Sequence, residues 1–454
     1  MRILMTGATG FLGRRLARRF LIQGHDLVIL TRDVEKARAS FPYPARFFNW
    51  DPLREKPPVE AFEKVDAVAH LAGDPVAESR WSDSKKALIR DSRIAGTRNL
   101  MSTISSLGSG APRVVLSASA IGFYGDRGDE LLEESSSPGK GFLAEVCQGW
   151  EQELFSSSSE KVRRVAIRIG VVLGREGGAL AKLIPVFRSG LGGAIGSGRQ
   201  WMSWIHVDDL VSLMVWAISD DRAQGVVNAV APHPVTNSEF STELGRAMHR
   251  PTVLRTPAAA LQLTLGEMSM VVLASQRVSS TRVQAFGFKF EFPNLREALA
   301  DLSLFDEELR AEQWIPQPVE PLWEFFSKAK NLEEITPPWM GFRVTGMSTP
   351  EIENQTLIDY KLKIHGVPVR WQSRIEDWTP PLRFVDTQTH GPYAKWHHTH
   401  SFFPVAGGTL AEDRVLYRVP MGALGKVVAG WKVKRDIETI FTYRKKIIQD
   451  LFGR

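Results

Sequence analysis

The chain has 454 residues, 43% hydrophobic and 24% charged, long enough for two or three domains and too evenly mixed for a disordered or collagen-like protein. A net charge of +6 without a dense basic stripe gives no footing for nucleic acid. The lone cysteine, Cys147, excludes an internal disulfide, and no Cys/His spacing reads as a zinc site, so no metal is expected.

The N-terminus runs straight into a strand-like Arg2–Met5 segment, with no basic and apolar leader before it. No run reaches the ~20 apolar residues of a membrane helix. Even Leu261–Ala274 is short and broken by Glu267, so a cytoplasmic protein without an integral membrane segment is expected. After the first strand comes Thr6-Gly7-Ala8-Thr9-Gly10-Phe11-Leu12-Gly13, then a helical pattern through Arg14–Gln23. This is strand, glycine turn, helix: Gly7 allows the turn, Gly10 lets backbone N–H groups approach a pyrophosphate, and Gly13 lets helix and strand pack closely. Gly24 stops the helix, and His25–Leu30 is the second strand. Where NAD enzymes carry an acid for the ribose 2′-hydroxyl, this chain has Thr31-Arg32. A guanidinium suits a 2′-phosphate, so NADP(H) is expected ahead of NAD(H), although Arg32 beside Asp33 also reads as a local pair or a solvated side chain.

Further strands alternate with helices at Ala67–Leu71, Arg113–Ser117, Arg164–Val172 and Gly225–Ala229. The order predicts a doubly wound parallel sheet with ligands above the carboxyl ends of its strands. Leu71, Ala72 and Gly73, then Ser117 and Ser119, then Arg168 and Gly170, fall at those ends. The expected cofactor contacts are Gly7, Thr9, Gly10, Phe11, Leu12, Gly13, Thr31, Arg32, Asp51, Leu71, Ala72, Gly73, Ser117, Arg168 and Gly170.

These motifs, together with Tyr124-Gly125-Asp126-Arg127-Gly128, Phe142–Cys147 and the long Gly196–Asp209 segment, resemble an atypical extended short-chain dehydrogenase/reductase of the NAD-dependent epimerase/dehydratase type. The resemblance spans residues 1 to about 302. It implies a Rossmann core over 1–174 and a small substrate subdomain with returning Rossmann elements over 175–302. The superfamily's Tyr-x-x-x-Lys pair is absent: the only tyrosines here are Tyr43 and Tyr124, and the matching positions fall near Phe142 or Leu143 and Val146 or Cys147. Arg93 stands where an asparagine is expected, and Met202 where an arginine would hold a sugar-nucleotide diphosphate. The resemblance leaves Ser119 as the strand-end serine. Tyr124 reads either as the acid or as a ring packed in a loop, and Glu145 as an acid or base if buried, otherwise a solvated carboxylate. Arg199, Met202 and His206 are the candidate substrate contacts.

Near residue 303 the alternation stops, and 303–312 reads as a charged linker. Beyond it a helix is expected over Pro321–Asn331, strands at Gln355–Ile364, Val369–Glu376, Arg383–Thr389, Trp396–Phe403 and Arg414–Val419, and a closing helix over Lys432–Phe452. With Asn331–Trp339 and Gly391-Pro392-Tyr393, residues 313–454 resemble a START-like polyketide-cyclase/dehydrase domain. The resemblance implies an α+β helix-grip fold and an apolar or lipid ligand in its cavity. The seven tryptophans from Trp314 to Trp431 would line that cavity or fill the core. In His397-His398-Thr399-His400, His398 and His400 share a strand face while His397 looks away. No clear carboxylate accompanies them in the sequence, so cavity or surface residues are expected rather than metal ligands.

The expectation is therefore an NADP(H)-binding reductase-like protein for a small carbonyl or hydroxyl substrate. The rivals are a cofactor-dependent regulator or scaffold without turnover and a nucleotide-sugar epimerase. The oligomeric state is not legible in the sequence.

Overall fold

The computed structural model describes residues 1–156, 161–302, 304–420 and 422–453. The chain divides into two compact units, one built from Met1–Leu21, His25–Phe41 and Ala45–Phe305, the other from Ile22–Gly24, Pro42–Pro44 and the chain from Asp306 onward. Among the described residues no helix is long and apolar enough to cross a membrane.

The first unit centres on seven strands: β1 (Arg2–Thr6), β2 (Asp26–Thr31), β3 (Arg46–Asn49), β4 (Ala67–His70), β5 (Val114–Ala120), β6 (Arg163–Ile169) and β7 (Gly225–Ala229). They lie in the order β7-β6-β5-β4-β1-β2-β3, all pairs parallel. This is the dinucleotide-binding order, with its switch point between β1 and β4. Helices cover both faces, so β1 and β4 read as nearly unbroken apolar runs and are buried throughout except at Arg2.

The strand expected over Arg164–Val172 is two strands. At Gly170 a side chain would meet the Ser203 carbonyl oxygen at 2.5 Å, so the backbones close there. The chain leaves the large sheet and Val171–Leu173 pairs with Trp204–His206 instead. Other short pairs, including Gly193–Ile195 with Leu254–Thr256, frame a second core around Leu180, Phe187, Trp204, Phe240 and Leu299.

The second unit is an antiparallel sheet of β8 (Glu307–Ile315), β9 (Arg343–Met347), β10 (Leu357–Ile364), β11 (Val367–Thr379), β12 (Arg383–His390), β13 (Lys395–Val405) and β14 (Gly408–Arg418), ordered β8-β14-β13-β12-β11-β10-β9. Its helices among the described residues are short ones at Val319–Phe326 and Leu332–Ile335 and a 31-residue one at Gly422–Phe452. The linker expected over 303–312 is corrected, Ser303 itself lying outside the described residues: Glu307–Ile315 pairs with Gly408–Arg418 along its whole length. Its charged residues misled because an edge strand tolerates them. Asp306 fixes its start, accepting from Lys395 Nζ and Arg418 Nη2, each at 2.6 Å.

Aromatic side chains pack on one another inside this unit. Trp323 and Trp378 have ring centroids 4.8 Å apart, and Trp323 also meets Phe384 and Phe402 edge-on. Trp339 and Trp431, in contrast, are exposed.

Candidate active site

The carboxyl ends of the first sheet open into a cavity of about 1100 Å³. Its floor is the glycine turn. Gly7 has a positive φ of 68°, and a Cβ there would lie 2.8 Å from the Leu71 carbonyl carbon. At Gly13 a Cβ would sit 2.1 Å from the Gly7 carbonyl oxygen. The helix that begins at Phe11 has no acidic residue in its first turn, so its positive end is left for an anion. Phe11 packs into the space left by Gly174 and Gly177. Residues and dipole together fit a dinucleotide's pyrophosphate.

Of the expected cofactor contacts, Gly7, Gly10, Phe11, Leu12, Gly13, Leu71, Gly73 and Gly170 line this cavity. Thr9 and Ala72 contribute backbone to the turn: Thr9 O accepts from Arg14 Nε, and Ala72 N–H donates to Thr6 Oγ1. Arg32 is exposed at the end of β2 beside Thr31. It makes no ion pair with Asp33, whose carboxylate accepts from Lys36 N–H and caps the next helix. Asp51 closes a turn after β3, accepting from Leu53 N–H at 3.0 Å.

Thr9, Thr31, Arg32, Asp51 and Ala72 do not line the cavity, and the side chains of Ser117 and Arg168 are buried away from it. Ser117 is buried and its hydroxyl donates to the Ala118 carbonyl. Arg168, 3% exposed, is bonded inward. Its Nε and Nη2 donate to Glu151 Oε1 and Oε2 at 2.9 and 2.7 Å, and its Nη1 donates to the Tyr124 hydroxyl at 2.9 Å. Its guanidinium carbon lies 3.4 Å from the centre of the Phe123 ring.

The same network settles the two readings of Tyr124. The ring is fully buried off the cavity, and its hydroxyl donates to Asn228 Oδ1 at 2.7 Å while accepting from Arg168. Burial raises its pKa further, against the pull of Arg168. It is a structural phenol, and the acid reading is corrected. Glu145 is exposed at the cavity rim and does not meet the burial that an acid or base role requires.

Ser119 lies on the cavity and donates to Glu151 Oε1 at 2.6 Å. Sequence reasoning missed Glu151. Its signal was the i, i+4 spacing from Cys147 on the helix Phe142–Phe155, which turns both residues inward. Cys147 also borders the cavity, and burial, with the Glu151 carboxylate, pushes its thiol up to about 11.

Arg93 also lines the cavity. Its Nη1 donates to the Asp74 and Ile89 carbonyls, each at 3.0 Å, and its guanidinium lies over the Trp150 ring. Beneath the turn, His70 bridges Thr6 Oγ1 at 2.7 Å and Thr97 Oγ1 at 3.1 Å. Burial, aided by Arg93, brings its pKa down to about 4, so the ring is neutral.

Among the substrate candidates, only Met202 borders the cavity. Its sulfur accepts from Asn237 Nδ2 at 3.3 Å. Arg199 is exposed and off the cavity. His206 is fully buried and caps the helix Val207–Ser219, its Nδ1 accepting from Asp208 N–H. The neighbouring Asp209 accepts instead from the Glu291 and Phe292 N–H groups.

Residues 3–229 match the NAD dependent epimerase/dehydratase family, and residues 256–302 match a domain of unknown function, DUF1731. The chain is 42% identical over 301 residues to the chloroplastic epimerase family protein SDR39U1 homolog of Arabidopsis thaliana, covering 66% of this chain and 86% of that one. It is 35% identical over 304 residues to the epimerase family protein YfhF of Bacillus subtilis, covering 66% and 98%. Among solved structures it resembles human epimerase family protein SDR39U1, isoform 2, with NADPH, at TM-score 0.60 and 30% identity over 67% of this chain and 99% of that one. It also resembles a nucleoside-diphosphate sugar epimerase from Corynebacterium glutamicum, at TM-score 0.54 and 34% identity over 67% and 58%. The parallel sheet, the glycine turn and these relatives agree, and the chain belongs to the NAD dependent epimerase/dehydratase family.

Proposed function

We propose that this chain binds NADP(H) and acts as an oxidoreductase on a small carbonyl or hydroxyl compound. The observation that carries the cofactor reading is the glycine turn followed by Arg32, exposed and not paired with Asp33. The human relative solved with NADPH supports it. When bound, the reduced nicotinamide supplies hydride to a carbonyl carbon.

The chain's own residues hold and orient. The Gly10–Gly13 backbone and the helix end receive the pyrophosphate, and Arg32 the 2′-phosphate. Ser119 presents a hydroxyl to the substrate oxygen, and Glu151 fixes its direction. With Tyr124 buried elsewhere, water in the cavity delivers the proton. Arg93 sets a positive potential at the wall. The second unit is read as a START-like helix-grip domain, supported by its antiparallel sheet, short helix and long closing helix, and as the carrier of an apolar or lipid ligand.

The test is NADPH oxidation against a panel of carbonyl compounds. Turnover is expected and is lost in Ser119→Ala, while NADPH affinity measured by titration stays unchanged. A second reading, a cofactor-dependent regulator or scaffold without turnover, draws on the buried Tyr124 hydroxyl and on Phe142, Leu143, Val146 and Cys147 at the missing pair's positions. It predicts NADPH binding and no oxidation with any member of the panel.

A further inference from the structure

In the second unit the face that β12, β13 and β14 share carries a cluster the first unit's chemistry does not use. Asp386 lies opposite His398 in the register of β12 and β13, and Asp413 lies opposite His400 in that of β13 and β14. Both imidazoles are buried, at 5% and 3% exposure. The carboxylates that the sequence did not reveal are therefore supplied by the neighbouring strands. Asp386 Oδ2 stands 3.2 Å from His398 Nδ1 and 3.1 Å from His400 Nε2. The remaining ring nitrogens converge on the other carboxylate: His398 Nε2 and His400 Nδ1 lie 3.0 and 2.9 Å from Asp413 Oδ1.

We propose that Asp386, His398 and His400 form a binding site for one divalent transition-metal ion, with Asp413 as the outer carboxylate that orients both imidazoles. Two imidazole nitrogens, each about 3 Å from one carboxylate oxygen and all within 4.8 Å of one another, can share a metal with bonds of about 2.0–2.2 Å. Two histidines and one carboxylate on one side leave the opposite positions open. The nitrogens turned away from the metal donate to a carboxylate, which is the usual support of a ligating histidine. Here one aspartate serves both rings, and Arg444 Nη2 holds that aspartate at 3.3 Å. Asp386 is fixed from behind, its Oδ1 accepting from Ser373 Oγ at 3.4 Å.

Arg444 Nη2 also lies 3.3 Å from His400 Nδ1, so the guanidinium is shared between that ring and the outer carboxylate. Imidazole ligands favour zinc, iron(II) or cobalt(II) over magnesium or calcium. A cavity of about 20 Å³ bordered by Asp413, Arg444 and Phe441 is large enough for one water beside the outer carboxylate.

The experiment is a Co²⁺ titration of the full-length, tag-free, chelator-treated protein, followed by visible ligand-field absorption. Saturation at one Co²⁺ per chain is expected. Asp386→Asn and His400→Gln, shown folded by circular dichroism, lose it, and Asp413→Asn weakens it by about 10- to 100-fold. Asp301→Asn, which removes a carboxylate beside His206 in the first unit, leaves it unchanged. If the ligand variants do not fold, the loaded wild type decides: it shows paramagnetically shifted ring protons from two histidines. No saturable Co²⁺ binding, binding that survives in folded Asp386→Asn, or shifted protons from fewer than two histidines overturns the site.

Discussion

Ser119 and Arg168 are neighbours in the register of β5 and β6, and both give a hydrogen bond to the same oxygen, Glu151 Oε1. The cavity's serine is thereby tied to a buried ion pair whose other end reaches Tyr124 and Asn228. The wall of the active site and the core behind it form one polar network. Removing one member of a buried pair leaves the other charge unsatisfied, at about 3–5 kcal/mol. Glu151→Gln is expected to lower the unfolding free energy by an amount in that range, read from the denaturant midpoint, and the double change Glu151→Leu with Arg168→Met to recover most of it. Equal midpoints for wild type and Glu151→Gln would show the pair to be energetically idle.

Arg32 gives the sharpest test of the cofactor. It is exposed and not paired with Asp33, so Arg32→Ala should leave thermal stability unchanged. NADPH affinity should fall by about tenfold, the loss of a charge-assisted contact to the 2′-phosphate, with NADH affinity unaltered. Calorimetric titration with both nucleotides checks this, and a parallel loss for the two would place Arg32 away from the 2′-phosphate.

The glycines of the turn should separate folding from binding. Gly13→Ala puts a methyl group 2.1 Å from the Gly7 carbonyl oxygen, a clash that backbone must absorb, and should lower both the melting temperature and NADPH binding. At Gly10 the nearest contact is 3.3 Å. Gly10→Ala should fold nearly as wild type yet bind NADPH weakly, because the added methyl enters the pyrophosphate's space. A folded Gly13→Ala with wild-type affinity would refute the close packing.

His70 gives stability a pH dependence of known sign. Its folded pKa is lowered to about 4 from the ordinary 6.5 by burial and then by Arg93. Between those values the unfolded chain takes up a proton that the folded chain refuses. The contribution is complete above pH 6.5 and is lost as the pH falls toward 4, with a size of order 3 kcal/mol. Urea midpoints at about pH 7 and pH 4.5 measure it, and the His70 ring-proton shift should titrate near 4. A ring-proton midpoint near 6.5 would contradict the buried, neutral ring.

What the sequence disclosed was local. Thr6 to Gly13 can be read because strand, turn and helix follow one another and each glycine has a steric reason visible at short range. Arg32 is legible for the same reason. Glu151 is not, since its partners Ser119 and Arg168 come from two other elements, and a carboxylate on a helix looks solvated until those strands cover it. Asp386 and Asp413 were hidden in the same way: only antiparallel pairing sets them opposite His398 and His400. Residues 307–312 looked like part of a connection because they are charged, and only pairing with Gly408–Arg418 makes them part of a strand.

That last pairing decides where the chain can be cut. The second sheet ends on a strand contributed by its own first residues, joined to the final strand along nine register pairs from Glu307 with Tyr417 to Ile315 with Thr409. A fragment started at residue 313 would keep the helices and six strands but bare one side of Gly408–Arg418, an open template for pairing with another copy. It would also lose the Asp306 carboxylate that Lys395 and Arg418 converge on. A fragment begun ahead of Asp306 keeps both, so seven residues separate a soluble piece from one expected to aggregate.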